Sequence, residues 1–350
     1  MENRIPNDGE WMSADGPHSG IAVTTRVRLA RNLANRRFPT HPDQSQRREV
    51  LDEVKSAILG LPEGSRYIWR ELDDEGQLDR RLLMERHLIS RELADGHGPR
   101  AVAVNSEDSI AVMVNEEDHL RMQCILSGLN LQEAYNRVNR LDDELSERLG
   151  FAFDSTYGYL TSCPTNVGTG LRVSVMMHLP ALVMTRHIEK VFRSVYEMRM
   201  AVRGFYGEGT EAFGELYQIS NQITCGRSEQ DIIDDMEAVI GAIIRYEEKA
   251  RGELATSDRN QLEDRVWRSW GVLRNARLMS SEEAMRHLSS LRLGVVMGVF
   301  GDVDLQEVQK LFLYTQPAHL QRLEGKELES GDRDVARARY IRGELGAGAN

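Results

Sequence analysis

The chain has 350 residues, 41% of them hydrophobic and 28% charged, with a net charge of −11. That suits a folded protein with one large and one smaller domain, and it excludes whole-chain disorder and collagen-like repeats. The acidic balance argues against nucleic acid as the main ligand, because phosphate backbones demand a basic surface.

The longest apolar run, residues 293–300, is interrupted by Gly294 and Gly298. It falls far short of the roughly 20 residues of a membrane span. The first residues, MENR, lack the apolar stretch of a signal peptide. Three cysteines (Cys124, Cys163, Cys225) do not make a disulfide framework, so a reducing cytoplasm is expected. Only five of the 44 basic residues are lysine. Codon bias explains such a skew, and so does a demand for guanidinium forks against phosphate or carboxylate.

In chain order, residues 1–20 read as a polar arm. GIAVTTRVRLARNL (20–33) reads as a short strand or turn with alternating arginines. Residues 43–60 carry Val50, Leu51, Val54 and Ile58 at helical spacing, and 77–94 is predicted helical too. Ala101–Val104 and Ile110–Val114 read as a β-hairpin around a polar turn. A polar helix is predicted over 130–149. Strands are expected at Tyr159–Ser162 and Val173–Met177, flanking a Gly-rich loop. Helices follow over 180–201 and 228–254. Polar Arg251–Gln261 is predicted as a linker. Beyond it only helices are expected, over 261–279, from Ser280 (a capping-box signature with Glu283), 302–313 and 332–345. The chain thus divides into a mixed α/β domain over 20–255 and an all-helical domain over 256–350.

The common signatures of phosphate, zinc and nucleophile chemistry are absent: no GxxxxGK[ST], no GxGxxG after a predicted strand, no HExxH, no paired CxxC, no GxSxG and no HRD…DFG set. Four segments remain. Asn115-Glu116-Glu117-Asp118-His119 places three adjacent carboxylates after an apolar strand, with Arg121 next. Such a run is either a solvated turn or a pocket for a cation, one group accepting a proton. Cys163 to Arg172 (CPTNVGTGLR) is either a turn holding a small buried Cys or a loop offering backbone N–H groups beside a thiol flanked by hydroxyls. RGFYGEGTE (203–211) joins Arg and Glu on a Gly-rich loop. Thr24-Thr25-Arg26-Val27-Arg28 puts two arginines on one strand face, as a polyphosphate site or as an edge-strand solubility device.

Together these segments resemble the phosphagen (guanidino) kinases over roughly residues 20–255, chiefly through NEEDHLR (115–121) and CPTNVGTGLR (163–172). Within that family the chain is most similar to the bacterial protein arginine kinases of the McsB type. The shared segments are YLTSCPTNVGTGLR with a downstream HLPAL, RGFYGEGTEA with LYQISNQ, and RDVARA (333–338). The chain also begins too near TRVR to hold the N-terminal helical domain of the metabolite kinases. The resemblance implies an α+β fold, an antiparallel sheet flanked by helices, with a helical C-terminal dimerisation and phosphoarginine-binding domain.

It further implies ATP as phosphoryl donor, with Mg²⁺ held mainly by phosphates and water. Glu117 would be the base and orienter, Glu208 the second carboxylate, Glu116 their support, and Cys163 a thiolate that orients the guanidinium without a covalent intermediate. The nucleotide would lie on Thr24, Thr25, Arg26, Val27, Arg28, His87, Arg121, Arg172, Val173, Ser174, Val175, Met176, Arg203, Gly204, Phe205, Tyr206 and Gly207. A phosphoarginine pocket would use Arg333, Asp334, Arg337 and Ala338; without the resemblance, Arg333 and Arg337 read as one salt-bridged face of a surface helix. One departure is Val104-Asn105, where metabolite kinases carry His–Asn. The expected acceptors are arginines of basic client proteins and a DNA-binding stress repressor. Further expected partners are a zinc-binding activator, a Clp ATPase/protease and a second copy of the chain. The competing readings are a metabolite kinase acting on free arginine or a related guanidine, and a non-catalytic phosphoarginine-binding adaptor.

Overall fold

The computed structural model describes residues 8–39, 43–204 and 213–346. Its centre is an eight-stranded antiparallel sheet of β1 (Ala22–Arg31), β2 (Tyr67–Glu71), β3 (Ala101–Asn105), β4 (Ile110–Val114), β5 (Leu120–Ser127), β8 (Leu171–His178), β9 (Met200–Gly204) and β10 (Leu216–Asn221). Their order is β2-β3-β4-β5-β1-β8-β10-β9; β6 (Phe153–Asp154) and β7 (Gly158–Tyr159) form a separate ribbon. Around the sheet lie α1 (Gln44–Leu59), α2 (Gln77–Glu85), α3 (Arg91–Asp95), α4 (Leu131–Ser146), α5 (Pro180–Met184), α6 (Ile188–Glu197) and α7 (Glu229–Ser257). The C-terminal part consists of α8 (Arg259–Asn275), α9 (Ser281–Val296), α10 (Leu305–Tyr314), α11 (Pro317–Glu324) and α12 (Ser330–Glu344). No helix among the described residues is long and apolar enough to cross a membrane.

Period-two alternation decides which sheet face becomes core. Val27 and Leu29 of β1 and Leu171, Val173, Val175 and Met177 of β8 pack with Val138 and Leu141 of α4 and Ile233, Met236 and Ile240 of α7. The residues between them, Arg26, Arg28, Arg172 and Ser174, therefore face the other way. β1 lies in mid-sheet, with Arg28 opposite Gln123 of β5 on one side and Arg172 of β8 on the other.

Several expectations are corrected. The helix over 77–94 breaks at 86–90, where His87 has φ +59° and Ser90 starts α3 by accepting from the Leu93 N–H at 3.1 Å. The helix over 180–201 breaks at Arg186 (φ +60°), and its last residues join β9. The linker at 251–261 is mostly helix: α7 runs to Ser257, and Asp258 alone separates it from α8. Its polar character misled because Arg251 is an internal group. It is buried, donates to Glu247 at 2.9 Å and reaches the Gly20 carbonyl at 3.2 Å. The apolar stretches 288–300 and 305–314 fill the C-terminal core with Leu288, Leu291, Val308, Leu311 and Phe312.

The C-terminal helices pack directly on the part of the fold built around the sheet. Glu85 at the end of α2 accepts from the Ala318 and His319 N–H groups at 2.8 and 3.0 Å, satisfying the first turn of α11, and meets His319 Nδ1 at 2.7 Å. Met176 and Leu216 of the sheet belong to the C-terminal core.

Glu247 is fully buried and also accepts from the Ala181 and Leu182 N–H groups at 3.1 and 3.0 Å, in place of a side-chain cap for α5. Glu247→Ala strands the Arg251 guanidinium and two helix N–H groups, so we expect a loss of about 3–5 kcal/mol in urea unfolding. An Arg251→Met, Glu247→Leu double variant removes the stranded guanidinium but leaves the Ala181 and Leu182 N–H groups unmet, so it should recover only part of the loss.

Candidate active site

The β4–β5 turn is built around the carboxylate run, each residue with its own task. Asn115 adopts φ +59°, a conformation asparagine tolerates, and its side-chain amide donates to the Arg47 and Pro99 carbonyls at 2.8 and 3.0 Å. Asp118 is buried and accepts from Asn32 at 2.6 Å and from the Ser162 N–H at 2.7 Å. It thereby pins the loop that begins at Cys163 against the turn. His119 is also structural. Its Nδ1 accepts from the Leu33 N–H at 3.0 Å, so Nε2 carries the proton and donates to the Arg37 carbonyl at 3.1 Å. Burial drives its pKa down to about 4, so it stays neutral.

Glu116 and Glu117 are left to face the sheet's polar surface. Arg121 bridges them, donating to Glu116 at 2.7 Å and Glu117 at 3.1 Å. Glu116 is nearly buried, whereas Glu117 keeps 40% of its side chain exposed. Burial raises the Glu117 carboxyl above its ordinary range, Asp118 and Glu116 push the same way, and Arg121 and a hydrogen bond from Cys163 oppose them. Cys163 Sγ lies 3.0 Å from Thr165 Oγ1. Its loop is fixed from below by Thr224, whose hydroxyl meets the Thr165 and Val167 carbonyls at 2.8 and 2.7 Å. Gly168, at φ +110°, admits no Cβ, which would lie 2.8 Å from the Thr224 carbonyl.

Beside this pair the five arginines gather. They sit on β5 (Arg121), β1 (Arg26, Arg28), β8 (Arg172) and β9 (Arg203), across four strand spacings or about 19 Å. Register puts Arg28 opposite Arg172 and Arg203 opposite Gln218. Burial lowers the Arg26 pKa to about 10, and the positive charges of Arg121, Arg172 and Arg203 add to the fall. Arg28 is driven down for the same reasons, by burial, Arg26, Arg121 and Arg172, with Glu116 the one opposing charge. Its Nε is buried with no hydrogen-bond partner. Such a cluster has the charge and the forked donors that suit a multiply charged anion.

The pleat divides the remaining expected nucleotide residues. Thr24, Ser174 and Met176 share the arginine face, but Met176 is taken up by the C-terminal core. The side chains of Thr25, Val27, Val173 and Val175 point into the opposite layer and are fully buried, so only their backbone can serve the site. His87 is half-buried beside Trp11, ring centroids 5.8 Å apart, and burial with the nearby Arg26 lowers its pKa to about 3. Gly204 ends β9, while Phe205, Tyr206, Gly207 and Glu208 lie outside the described residues. Asn105, at the departure noted above, closes the β3–β4 turn by accepting from the Ser109 and Ile110 N–H groups at 2.9 and 2.8 Å.

The C-terminal RDVARA set does not form one surface face. Arg333 donates to the Leu328 carbonyl at 2.7 Å and Asp334 is one-third exposed. Arg337 is buried, holding the Thr315 and Met279 carbonyls at 2.9 and 2.8 Å and Asp334 at 2.7 Å, while Ala338 is in the core. Arg337 thus ties α12 to the connections ahead of α9 and α11. The sequence reading missed Asn32, Asp118, Thr224 and Gln123 as supports. Apart from the position of Asp118 inside NEED, nothing local distinguishes them from ordinary polar residues.

A family model described as ATP:guanido phosphotransferase, C-terminal catalytic domain, matches residues 49–250, and one described as Protein-arginine kinase McsB C-terminal domain matches 259–350. The chain is 47% identical over 345 residues to a protein-arginine kinase of Symbiobacterium thermophilum, covering 97% of each chain. It is 44% identical over 351 residues to one of Moorella thermoacetica, covering 99% of this chain and 100% of that one. Among solved structures it is similar to the duplicated taurocyamine kinase from Schistosoma mansoni with bound transition state analog components. The TM-score is 0.62 at 26% identity, over 71% of this chain and 35% of that longer one.

The arginine cluster makes ligand-free stability and anion binding oppose each other. Arg28→Met should raise the Tm of the ligand-free protein by scanning calorimetry, since it removes a buried, repelled cation. It should weaken ADP binding by roughly tenfold or more.

Proposed function

From the premise that this chain belongs to the ATP:guanido phosphotransferase (phosphagen kinase) family and is a protein-arginine kinase within it, we propose the following division of labour in the site. Glu117 grips the guanidinium of an acceptor arginine and accepts its proton. Cys163, within hydrogen-bond reach of Glu117, orients the same group. Glu116 holds Arg121 and, through its Oε2, the Glu117 N–H at 3.3 Å. Arg26, Arg28, Arg121, Arg172 and Arg203 cradle the donor's phosphates.

A guanidinium keeps its proton far above neutral pH and is a poor nucleophile until it is gripped and deprotonated. The family's donor is ATP with Mg²⁺, which supplies the transferable γ-phosphoryl group. As the guanidinium nitrogen bonds to that phosphorus and the bond to ADP breaks, negative charge grows on oxygens that the arginines already face. The arginine cradle therefore does the work of a P-loop. Mg²⁺ would be held by phosphates and water, in keeping with a site rich in cations. Glu208 would be the second carboxylate on the acceptor.

The observation that carries this reading is the meeting of Glu117, Cys163 and Arg121 beside the arginine cluster. The chain's net charge of −11 favours basic protein acceptors over acidic ones. Through the family resemblance the reading extends to a DNA-binding stress repressor as client, hand-over of marked clients to a Clp protease, a zinc-binding activator, a homodimer and phosphoarginine binding at 333–338.

Incubation with ATP and a basic protein, followed by mass spectrometry under non-acidic conditions, should find phosphoryl groups on arginine. Turnover of free arginine alone would contradict the reading. Glu117→Gln should lower the rate by roughly a hundredfold or more. Because Glu117 must be ionised to accept the proton and its pKa is raised, kcat/KM should fall as pH drops through a point above the ordinary carboxylate range.

A further inference from the structure

The segment between α2 and α3 carries His87 but none of the sequence motifs above, yet it is fastened at every step. Arg86, buried, donates to Asp108 at 3.0 Å through Nε. The carbonyls of His87 and Leu88 accept from the side-chain amide of Gln123 at 2.6 and 3.3 Å. Gln123 lies on the arginine face of β5, directly opposite Arg28. At one end of the segment, Glu85 is bound to the start of α11. At the other, Ser90 accepts from the Leu93 N–H and donates its hydroxyl proton to Glu116 Oε1.

We propose that Ser90 is a positioning residue for phosphoryl transfer, its hydroxyl fixing the rotamer of Glu116 and through it the placement of Arg121 and Glu117. This rests on the reading of the site given above. The hydrogen-bond inventory shows why a donor is needed there. Glu116 Oε1 receives Ser90 and Arg121, and Oε2 receives the Glu117 N–H, so both oxygens of a nearly buried carboxylate are engaged. Without the hydroxyl, Oε1 keeps Arg121 and Oε2 keeps the Glu117 N–H, but Arg121 is then the only side chain fixing the last torsion of the carboxylate, which is held less tightly. Arg121 shares that looser placement, because one guanidinium spans both glutamates.

Ser90 touches neither substrate in this scheme, and its effect reaches the reaction through Glu116. The charged and titratable groups acting on Glu117 are Arg121, Asp118, Glu116 and Cys163. Loss of the donor leaves more of the Glu116 charge facing Glu117, so Glu117 holds its proton to higher pH.

The test compares Ser90→Gly, Ser90→Ala and Ser90→Thr with Glu117→Gln in the full chain. Glycine caps a helix almost as well as serine, so Ser90→Gly removes the donor with little cost to α3. We expect Ser90→Gly and Ser90→Ala to lower kcat roughly tenfold or more on a basic protein, with KM for ATP nearly unchanged. The acid limb of kcat/KM should move to higher pH, and Ser90→Thr should restore both rate and limb. Ser90→Gly with the parent rate and an unmoved limb would overturn the proposal. So would equal losses in Ser90→Gly and Ser90→Thr, which would assign the effect to the fold. Full activity of Glu117→Gln would instead overturn the site reading itself, whatever the Ser90 variants do.

Discussion

Five guanidinium groups placed side by side on one half-dry sheet face form the constraint around which this protein is organised. Like charges at such spacing repel, and burial raises the cost of each. Arg26 and Arg28 show it, both pushed below the ordinary arginine pKa by burial and by their neighbours. One carboxylate, Glu116, offsets part of this at Arg28. The rest is borne by the fold: β1 and β8 are held in place by apolar packing on their other face, with Val27, Leu29, Val173 and Val175 fully sealed against α4 and α7. The core thus supplies the stability that the site gives up in its ligand-free state.

The turn from Asn115 to His119 shows how such a site is kept in order. Two of its five residues face the chemistry, and the other three are braces. Asn115 shapes the turn, Asp118 joins it to the Ser162–Cys163 loop, and His119 anchors residues 33 and 37 as a neutral imidazole. A carboxylate run that looks redundant in sequence is therefore divided by geometry. Asp118 turns inward to backbone and amide donors, Glu116 to Arg121, and Glu117 to the space beside Cys163.

The hairpin at 101–114 and the arginine face of β1 were legible, because alternation and turn residues are local signals. Four things were not. The break at 86–90 depends on Arg86 finding Asp108, a contact 22 residues away. The linker at 251–261 looked polar because Arg251 is paired internally with Glu247, which only tertiary structure reveals. The nucleotide segments read as continuous runs, whereas the pleat gives every second side chain to the core, as at Val173 and Val175. In RDVARA, Arg337 is buried against carbonyls of Thr315 and Met279, so helical spacing alone misstates which side chains share a face. The motifs are local in sequence; the braces around them lay in long-range partners.

The arginine cradle is the claim on which the rest turns, and inorganic triphosphate tests it without help from base or sugar. Calorimetric titration of the full chain with this anion should show binding that competes with ATP and weakens steeply with added salt, since charge alone drives it. Triphosphate that fails to bind, or that binds without displacing ATP, would show that the five arginines do not form the phosphate site.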